Sequence, residues 1–254
     1  MEQIATKRIQ NCFTRALSTY DKQAEAQHHI SQKLASLLPC EADVHYRRML
    51  EIGCGTGRFT QELKRQCRID EWILNDLCEA CQDKTDQIFA GSPPRFIAGD
   101  AEMIPFPGKF DLIASASVFQ WIKAPETFLR KLSALLIPQG VLLFSTFLPG
   151  NLYEIKELTG EGLAYPTPDI LSGWLSAADF DLQHIEEETI VLTFKTPLDI
   201  LRHLKATGVT ATGNGRWTRG RQEVFSRKYM ERFATSDGQV TLTYRPLYIV
   251  AIKK

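Results

Sequence analysis

The sequence predicts a doubly wound α/β fold, in which a mostly parallel sheet is covered by helices on both faces. Between residues 49 and 147, apolar segments rich in β-branched and aromatic residues alternate with amphipathic segments of helical period. This alternation is typical of repeated βα units, which build a parallel sheet. A turn with three glycines follows the first apolar segment directly, as in folds that bind a nucleotide at the carboxyl edge of the sheet.

The alternating segments give the order of the core elements. Strands are predicted at 49–52, 71–75, 95–98, 110–115 and 140–147, and helices between them at 60–66, 78–89 and 125–136. Two later strands, at 184–194 and 239–252, are long enough to form a hairpin-like pair at the sheet edge. The predicted sheet is therefore parallel with one antiparallel edge strand.

We expect one domain, residues 1–254, made of a core with helical attachments. Its parts are an N-terminal helical cap at 1–40, the core at 49–147 and a helical lid at 195–236. The lid is inserted between the last two strands and has a glycine-rich break at 213–215. A further helix is predicted at 168–178, with Thr167 as its N-cap.

Composition and charge restrict the function. With 44% hydrophobic and 24% charged residues, the chain has the apolar material for a core and lacks the composition of a disordered protein. Thirty basic residues balance thirty acidic residues, so no global field attracts nucleic acid or a membrane surface. No apolar run approaches the roughly 20 residues that cross a bilayer, and no leader segment is recognised, so we expect a cytoplasmic protein.

The cysteines predict neither disulfides nor a metal site. Six cysteines are too few and too unevenly placed for a disulfide framework in a chain of this length. The pair Cys78-x-x-Cys81 has the spacing of a zinc or dithiol site, but no second pair or neighbouring histidine joins it. We therefore predict reduced thiols and no metal.

The glycine-rich turn is the first candidate ligand site. Gly53, Gly55 and Gly57 lie between a strand and a helix, so the turn exposes backbone amides at a helix N-terminus. The dinucleotide fingerprint G-x-G-x-x-G needs its third glycine where this chain has Arg58. Asp76 follows the next strand, where a carboxylate can accept hydrogen bonds from ribose hydroxyls. A simple turn or helix-cap role for these residues stays open.

With Glu51 before the turn, the pattern E-x-G-x-G-x-G resembles the first motif of class I S-adenosylmethionine-dependent methyltransferases. The segment Gly99-Asp100-Ala101-Glu102 and the strand at 110–113 resemble later motifs of that family. The resemblance implies S-adenosylmethionine as methyl donor and S-adenosylhomocysteine as product, with Asp100 and Ala101 on the adenine and Met103 packed against it. The cofactor-binding residues that it implies are Gln27, Glu51, Gly53, Cys54, Gly55, Gly57, Asp76, Leu77, Asp100, Ala101, Glu102 and Ser117.

The flanking segments carry a second resemblance, to the malonyl-[acyl-carrier protein] O-methyltransferases of biotin synthesis. The similar segments are 13–21 with Ala24 and Gln27, the lid segment 200–211, and the ending 242–249. This resemblance implies methyl transfer to the free carboxylate of a malonyl thioester on acyl-carrier protein, which gives the methyl ester that primes pimeloyl synthesis. It also implies that Tyr20 and Gln27 lie over the bound cofactor.

The charges of the lid are consistent with such a substrate. Residues 195–232 carry nine Lys or Arg against three acids, in a chain whose net charge is zero. An acidic carrier protein would be steered to this face, although a solvated helix face has the same pattern. The malonyl carboxylate is ionised near neutral pH and is itself the nucleophile, so no general base is needed. We expect Arg202, or else Lys205, to clamp its second oxygen, and Tyr20 to close the pocket.

The end of the fourth predicted strand suggests a substrate pocket. Gln120 and Trp121 are expected to line it, although a packed core tryptophan is equally compatible with this position. The D-P-P-Y and N-P-P-Y sequences associated with methylation of nucleic-acid bases do not occur at this strand end. The alternatives are a methyltransferase for a free dicarboxylate or quinone precursor, a binding module without catalysis, and an NAD-dependent oxidoreductase.

Overall fold

The computed structural model describes residues 5–38, 44–89, 91–209 and 217–254. Its strands, in chain order, are β1 (His45–Ile52), β2 (Arg68–Asp76), β3 (Arg95–Ala98), β4 (Phe110–Ser115), β5 (Leu136–Phe147), β6 (Phe180–Glu187), β7 (Ile190–Phe194), β8 (Val240–Tyr244) and β9 (Pro246–Lys253). Seven of them form one sheet of order β3-β2-β1-β4-β5-β9-β6, and β7 and β8 form a separate two-stranded ribbon.

The main sheet confirms the predicted fold class. Strands β1 to β5 pair in parallel, and β9 is antiparallel to both of its neighbours, β5 and β6. The antiparallel strand therefore lies one place in from the edge that β6 forms. The chain order reverses between β1 and β4, and ligands bind beyond the carboxyl ends of the strands at such a reversal.

Helices cover both faces of the sheet. They are α1 (Thr6–Ala16), α2 (Tyr20–Gln23), α3 (Glu25–Ser36), α4 (Arg58–Gln66), α5 (Gln82–Asp86), α6 (Pro125–Leu135), α7 (Tyr153–Thr159), α8 (Pro168–Ala177), α9 (Pro197–Ala206) and α10 (Arg219–Phe233). Two core clusters lie on opposite faces, as the alternation of side chains along a strand requires. Met49 packs in the cluster with α3 and α4, and its neighbour Leu50 packs in the cluster with α6 and α8.

The two late strands differ from the prediction, because each is divided. The first half of the earlier strand, β6, and the second half of the later strand, β9, pair in the main sheet. The remaining halves, β7 and β8, pair in the ribbon. The division follows from Arg245, whose amide donates to Asn151 and whose carbonyl accepts from the amide of Leu148. Pro246, which has no N–H to donate, then begins β9.

Two helix predictions also need correction. The predicted helix 78–89 is a 3₁₀ turn, Glu79–Cys81, followed by the short α5. Helix α7 was not predicted, because the burial of its Glu154 depends on the hydroxyl and amide of Thr243, far away in the sequence. The predicted N-cap Thr167 does precede α8, where its side chain accepts from the amide of Ile170.

The lid segment contributes α9 and α10, and its glycine-rich break at 213–215 lies outside the described residues. Both helices begin with a threonine N-cap, Thr196 and Thr218, whose side chain accepts a backbone amide three residues later. Within the described parts of the chain, no helix has the length and apolar character needed to cross a membrane.

Candidate active site

Two adjoining cavities lie beyond the carboxyl ends of β1, β2 and β4. The larger has a volume of about 1000 Å³ and the smaller about 480 Å³. Both are lined by the glycine-rich turn, by Ser117 and by Tyr20 of the N-terminal cap. The cavities are therefore two parts of one site at the position where open α/β sheets bind ligands.

The glycine-rich turn brings backbone to the cavity walls. Gly53 and Gly55 line both cavities, Cys54 lines only the smaller one, and burial raises the pKa of its thiol well above the usual range. Gly57, a predicted cofactor residue, is placed differently. It is the left-handed N-cap of α4, and a Cβ there would lie 2.2 Å from Cδ1 of Ile88. Gly57 therefore allows close packing behind the turn and does not line either described cavity.

Asp76 connects the turn to the end of β2. Its Oδ2 accepts the amide of Gly55 at 2.8 Å, and its Oδ1 accepts the amide of Cys78 at 2.8 Å. Burial raises the pKa of Asp76 above its ordinary value, although these two amides oppose the rise. The Cys81 thiol and the amide of Leu77 are further hydrogen-bond donors to this carboxylate. Asp76 and the neighbouring Leu77 both line the larger cavity.

The loop after β3 forms another wall of the larger cavity, to which Asp100, Ala101 and Glu102 all contribute. The Asp100 carboxylate accepts the amide of Glu102 at 3.0 Å, and Glu102 in turn accepts two amides at the start of α6. Lys131 of α6 donates to the carbonyls of Ala101, Glu102 and Ile104 at 2.5–3.1 Å. This lysine, which sequence reasoning missed, holds the loop in place.

Met103, predicted to pack against the adenine, is instead 78% exposed and lies outside both described cavities. The loop carries it on its outer side, because the amide of Met103 turns back to the carbonyl of Asp100. Sequence proximity to Asp100 did not determine the direction of the side chain.

The segment after β4 carries the two predicted pocket residues, and only one of them lines a described cavity. Trp121 lines the larger cavity, and its ring packs edge-on against Phe13 with centroids 5.7 Å apart. Gln120 lines neither cavity, because its amide nitrogen donates to the carbonyl of Ser117 at 2.6 Å. The structure therefore does not place Gln120 on either described cavity. Ser117 itself has a positive φ of 57° and lines both cavities.

The N-terminal cap covers the larger cavity with α1, another feature that the sequence did not reveal in detail. Ile9, Phe13 and Leu17 line the cavity from one face of this helix. The side-chain nitrogen of Gln10 donates to the carbonyl of Leu77 at 2.8 Å. The spacing of the three apolar residues was visible in the sequence, but not the surface that they would cover.

Tyr20 and Gln27 contribute from the start of α2 and from α3. Burial and the adjacent Asp21 raise the pKa of Tyr20, so its hydroxyl stays protonated near neutral pH. Gln27 lines the smaller cavity and is only 8% exposed. Its Oε1, like the Ser117 hydroxyl, is buried and has no hydrogen-bond partner among the described residues. Buried polar atoms without partners are costly, so both atoms are suited to contact a polar ligand.

Glu51 stands behind the turn, outside both described cavities. It is buried, accepts the Thr60 hydroxyl at 2.7 Å, and so joins the end of β1 to α4. Desolvation raises its pKa to about 8. The Oε1 of Glu51 is buried without a partner among the described residues, and its role as a cofactor-binding residue stays a prediction.

Neither predicted carboxylate clamp reaches the described cavities. Arg202 has a 74% exposed side chain and pairs with Asp199 at 2.7 Å. Lys205, three residues later on α9, is also exposed to solvent. The inward face of α9 instead carries His203, which is bonded to the Tyr244 hydroxyl at 2.8 Å. Burial lowers the pKa of His203 to about 4.

The basic surplus of the lid is also less uniform than its sequence indicates. On α10, Arg219 and Arg227 each pair with a glutamate four residues later, at 3.2 Å. Arg232 pairs with Glu157 of α7 at 2.6 Å. Arg216, another of the nine cations, lies outside the described residues. The exposed charge of α10 is therefore largely matched by neighbouring acids.

The described cysteines are free thiols, and the described residues hold no cluster of histidine, cysteine and acidic side chains suited to a metal ion. Cys78 and Cys81 both line the larger cavity. Burial raises the pKa of Cys81, so this thiol stays protonated.

Comparison with known proteins supports a methyltransferase. A family model described as a methyltransferase domain matches residues 50–144. Among solved structures, the N-methyltransferase NodS from Bradyrhizobium japonicum, in complex with S-adenosyl-L-homocysteine, superimposes with a TM-score of 0.57 and 14% identity. The alignment covers 97% of this chain and 98% of that one, so the two proteins share a fold.

Curated relatives of this chain, among them the following two, carry the name malonyl-[acyl-carrier protein] O-methyltransferase. The protein from Porphyromonas gingivalis is 49% identical over 94% of this chain and 92% of its own length. The protein from Haemophilus ducreyi is 42% identical over 100% of this chain and 99% of its own length. This chain therefore belongs to the malonyl-[acyl-carrier protein] O-methyltransferase family.

Proposed function

We propose that this protein transfers a methyl group from S-adenosylmethionine to the free carboxylate of a malonyl thioester on acyl-carrier protein. The products are the malonyl methyl ester, which would prime pimeloyl synthesis for biotin, and S-adenosylhomocysteine. The observation that carries the proposal is the 49% identity, over 94% of the chain, to a relative named for this reaction. An acidic carrier and a cytoplasmic location are parts of the proposal that rest on the sequence alone.

The cavities suit the proposed donor. Asp76, Asp100 and Glu102 line the larger cavity, and no lysine or arginine is found among its described lining residues. An acidic enclosure favours a cationic ligand, and the aromatic rings of Phe13 and Trp121 add cation–π attraction of about 0.5–2 kcal/mol each when a cation lies over a ring face. S-Adenosylmethionine supplies a methyl group on positively charged sulfur.

The polar ends of the donor have separate partners. Asp76 lines the larger cavity and would accept hydrogen bonds from the ribose hydroxyls, and the loop held by Lys131 bounds the adenine side. The smaller cavity offers the buried, unpartnered Gln27 Oε1 and Ser117 hydroxyl to the amino acid end. Together these residues would hold the donor at both ends and leave its methyl group near Tyr20.

Tyr20 is the residue that we assign to the substrate carboxylate. Its hydroxyl stays protonated, because burial and Asp21 raise its pKa, and it can donate a hydrogen bond to one carboxylate oxygen. The other oxygen is then free to attack, and no proton has to be removed. The attack requires the oxygen, methyl and sulfur atoms to lie in line, which positioning by the cap can favour by several kcal/mol.

Closure by the cap favours the reaction in a second way. The carboxylate and the sulfonium neutralise each other during the transfer, so a site from which water is excluded favours the less polar transition state. Helix α1 contributes Ile9, Phe13 and Leu17 to this enclosure. The negative charge of the substrate is balanced by the donor, which explains why Arg202 and Lys205 need not reach the cavity.

The decisive experiment is a product assay. Incubation with labelled S-adenosylmethionine and malonyl-carrier protein should give a methyl ester that base releases as labelled methanol. Free malonate and a quinone precursor serve as comparison acceptors, because the main alternative is methylation of a free small molecule. Efficient transfer to one of these acceptors with none to malonyl-carrier protein would overturn the proposal.

A further inference from the structure

The seam between the N-terminal cap and the lid carries positive charge that the structure does not neutralise. We define the cap–lid seam as Arg15, Thr19, Lys22, Lys205 and Ala206. The hydroxyl of Thr19 lies 3.1 Å from the carbonyl oxygen of Ala206 and 3.0 Å from that of Ala16 and shares its one hydrogen between them, so the start of α2 directly contacts the end of α9. The three cations of the seam stand around this contact.

The contact is close as well as polar. A Cβ added at Gly208 would lie 2.7 Å from Cδ1 of Phe13, so only a glycine lets α1 approach the end of α9 this closely. Phe13 also lines the larger cavity. Tyr20, which follows Thr19, lines both cavities. The seam is therefore the outer surface of the wall that closes the active site.

The seam differs in charge from the rest of the basic lid. Arg15, Lys22 and Lys205 are exposed, and none has an ion-pair partner within the described ranges. Helix α1 contains three basic residues and no acid. Asp21, the acid beside Lys22, is engaged by the Thr56 hydroxyl at 2.6 Å and by Arg58 at 3.3 Å.

We infer that the cap–lid seam is the docking surface for the carrier protein that presents the malonyl group. The inference rests on the proposed function and names the part of the protein that its partner contacts. An acyl-carrier protein of acidic surface complements three unpaired cations, whereas the paired arginines of α10 have little free charge to offer it. A carrier docked on the seam would lie on the outer side of the wall whose inner side carries Tyr20, the residue that we assign to the substrate carboxylate.

The test compares two acceptors that carry the same malonyl thioester. Malonyl-carrier protein presents the malonyl group on a pantetheine arm together with the surface of the carrier protein. Malonyl-pantetheine has the same arm without that protein surface. Arg15→Glu/Lys22→Glu should raise the KM for malonyl-carrier protein about tenfold at low salt, with kcat and the KM for malonyl-pantetheine unchanged. The difference should shrink at high ionic strength, because salt screens exposed charges.

Lys228→Glu is the matched control, because Lys228 is an exposed lysine of α10 away from the seam. Docking at the seam predicts that this variant keeps the wild-type KM for malonyl-carrier protein. The docking surface would be overturned if Lys228→Glu raised this KM as much as the double variant does, or if the double variant did not raise it. Either result would leave the proposed function in place. No transfer by the wild type to either acceptor would overturn the proposed function and the docking surface together.

Discussion

Gly53 allows a quantitative test of the loop geometry, because Gly55 in the same turn is a matched control. Both residues have a positive φ, of 70° and 54°. A Cβ at Gly53 would lie 2.3 Å from Cγ2 of Val118, whereas a Cβ at Gly55 would have no neighbouring atom within 4 Å. Their alanine variants therefore share backbone strain and differ in the overlap with Val118.

The expected losses of stability follow from the backbone strain at a positive φ and from the overlap with Val118. A left-handed backbone costs an L-residue about 1–2 kcal/mol, which is the loss that we expect for Gly55→Ala. Overpacking at Val118 adds about 1–3 kcal/mol, so Gly53→Ala should lose about 2–5 kcal/mol. For a chain of about this size, each kcal/mol corresponds to a fall in Tm of roughly 2–4 °C.

Denaturant unfolding measures these losses directly, and a double-mutant cycle isolates the overlap. The cost of Gly53→Ala should be about 1–3 kcal/mol smaller in a Val118→Ala background than in the wild type, because the colliding methyl groups are gone. Equal costs for Gly53→Ala and Gly55→Ala, or the same cost in both backgrounds, would refute the assigned geometry.

Three further predictions concern residues around the cavities. Lys131→Met should weaken binding of S-adenosylhomocysteine at least tenfold by calorimetry, because three loop carbonyls lose a charged donor worth about 1.5–3 kcal/mol per bond. Tyr20→Phe should lower kcat for malonyl-carrier protein about tenfold, a loss of about 1.4 kcal/mol, while the fold remains unchanged. The pKa of Glu51 is raised from an ordinary 4.5 to about 8. Between pH 4.5 and pH 8, Glu51 therefore carries a proton in the folded state but not in the unfolded state. Stability should therefore fall as pH rises from 4.5 towards 8, and Glu51→Gln should remove this part of the slope in denaturant unfolding.

Each of these predictions has an outcome that contradicts it. Unchanged cofactor affinity in Lys131→Met would mean that the loop holds its shape without the lysine. A Tyr20→Phe enzyme with wild-type kcat would remove the hydroxyl from the transfer step. For Glu51, the comparison is the difference in unfolding free energy between wild type and Glu51→Gln at pH 5 and pH 8, and a constant difference would contradict the raised pKa.

The sequence predicted most of the core sheet because the signals there are local. The bounds of β3 and β4 agree with the predicted segments, since each is a short apolar run between turn residues. β1 and β2 extend further back than predicted, because most of their first residues are charged and interrupt the apolar run. The spacing and number of apolar residues reveal the buried part of a strand in the sequence. The exposed part of the strand is defined only by its backbone hydrogen bonds.

The site was predictable only where backbone position determines function. A glycine turn after a strand and a carboxylate after the next strand reach one edge by topology, which is why Gly53, Gly55 and Asp76 come together. Arg202 was selected from its position in a basic segment, and the sequence could not show that Asp199, one turn earlier, holds it at the surface. The direction of a side chain on a helix depends on packing partners far away in the chain.

The ribbon of β7 and β8 has a consequence for how much the lid segment can vary in length. Phe194 and Val240 are paired across the ribbon, so the chain leaves and returns at neighbouring positions. The closure entropy of a loop grows only slowly with its length, so longer or shorter inserts can span these two points at little cost to the sheet. The ribbon therefore fixes where the segment between these residues leaves and returns, whereas α9, which packs on the cap, links any change in the segment to the wall of the donor site.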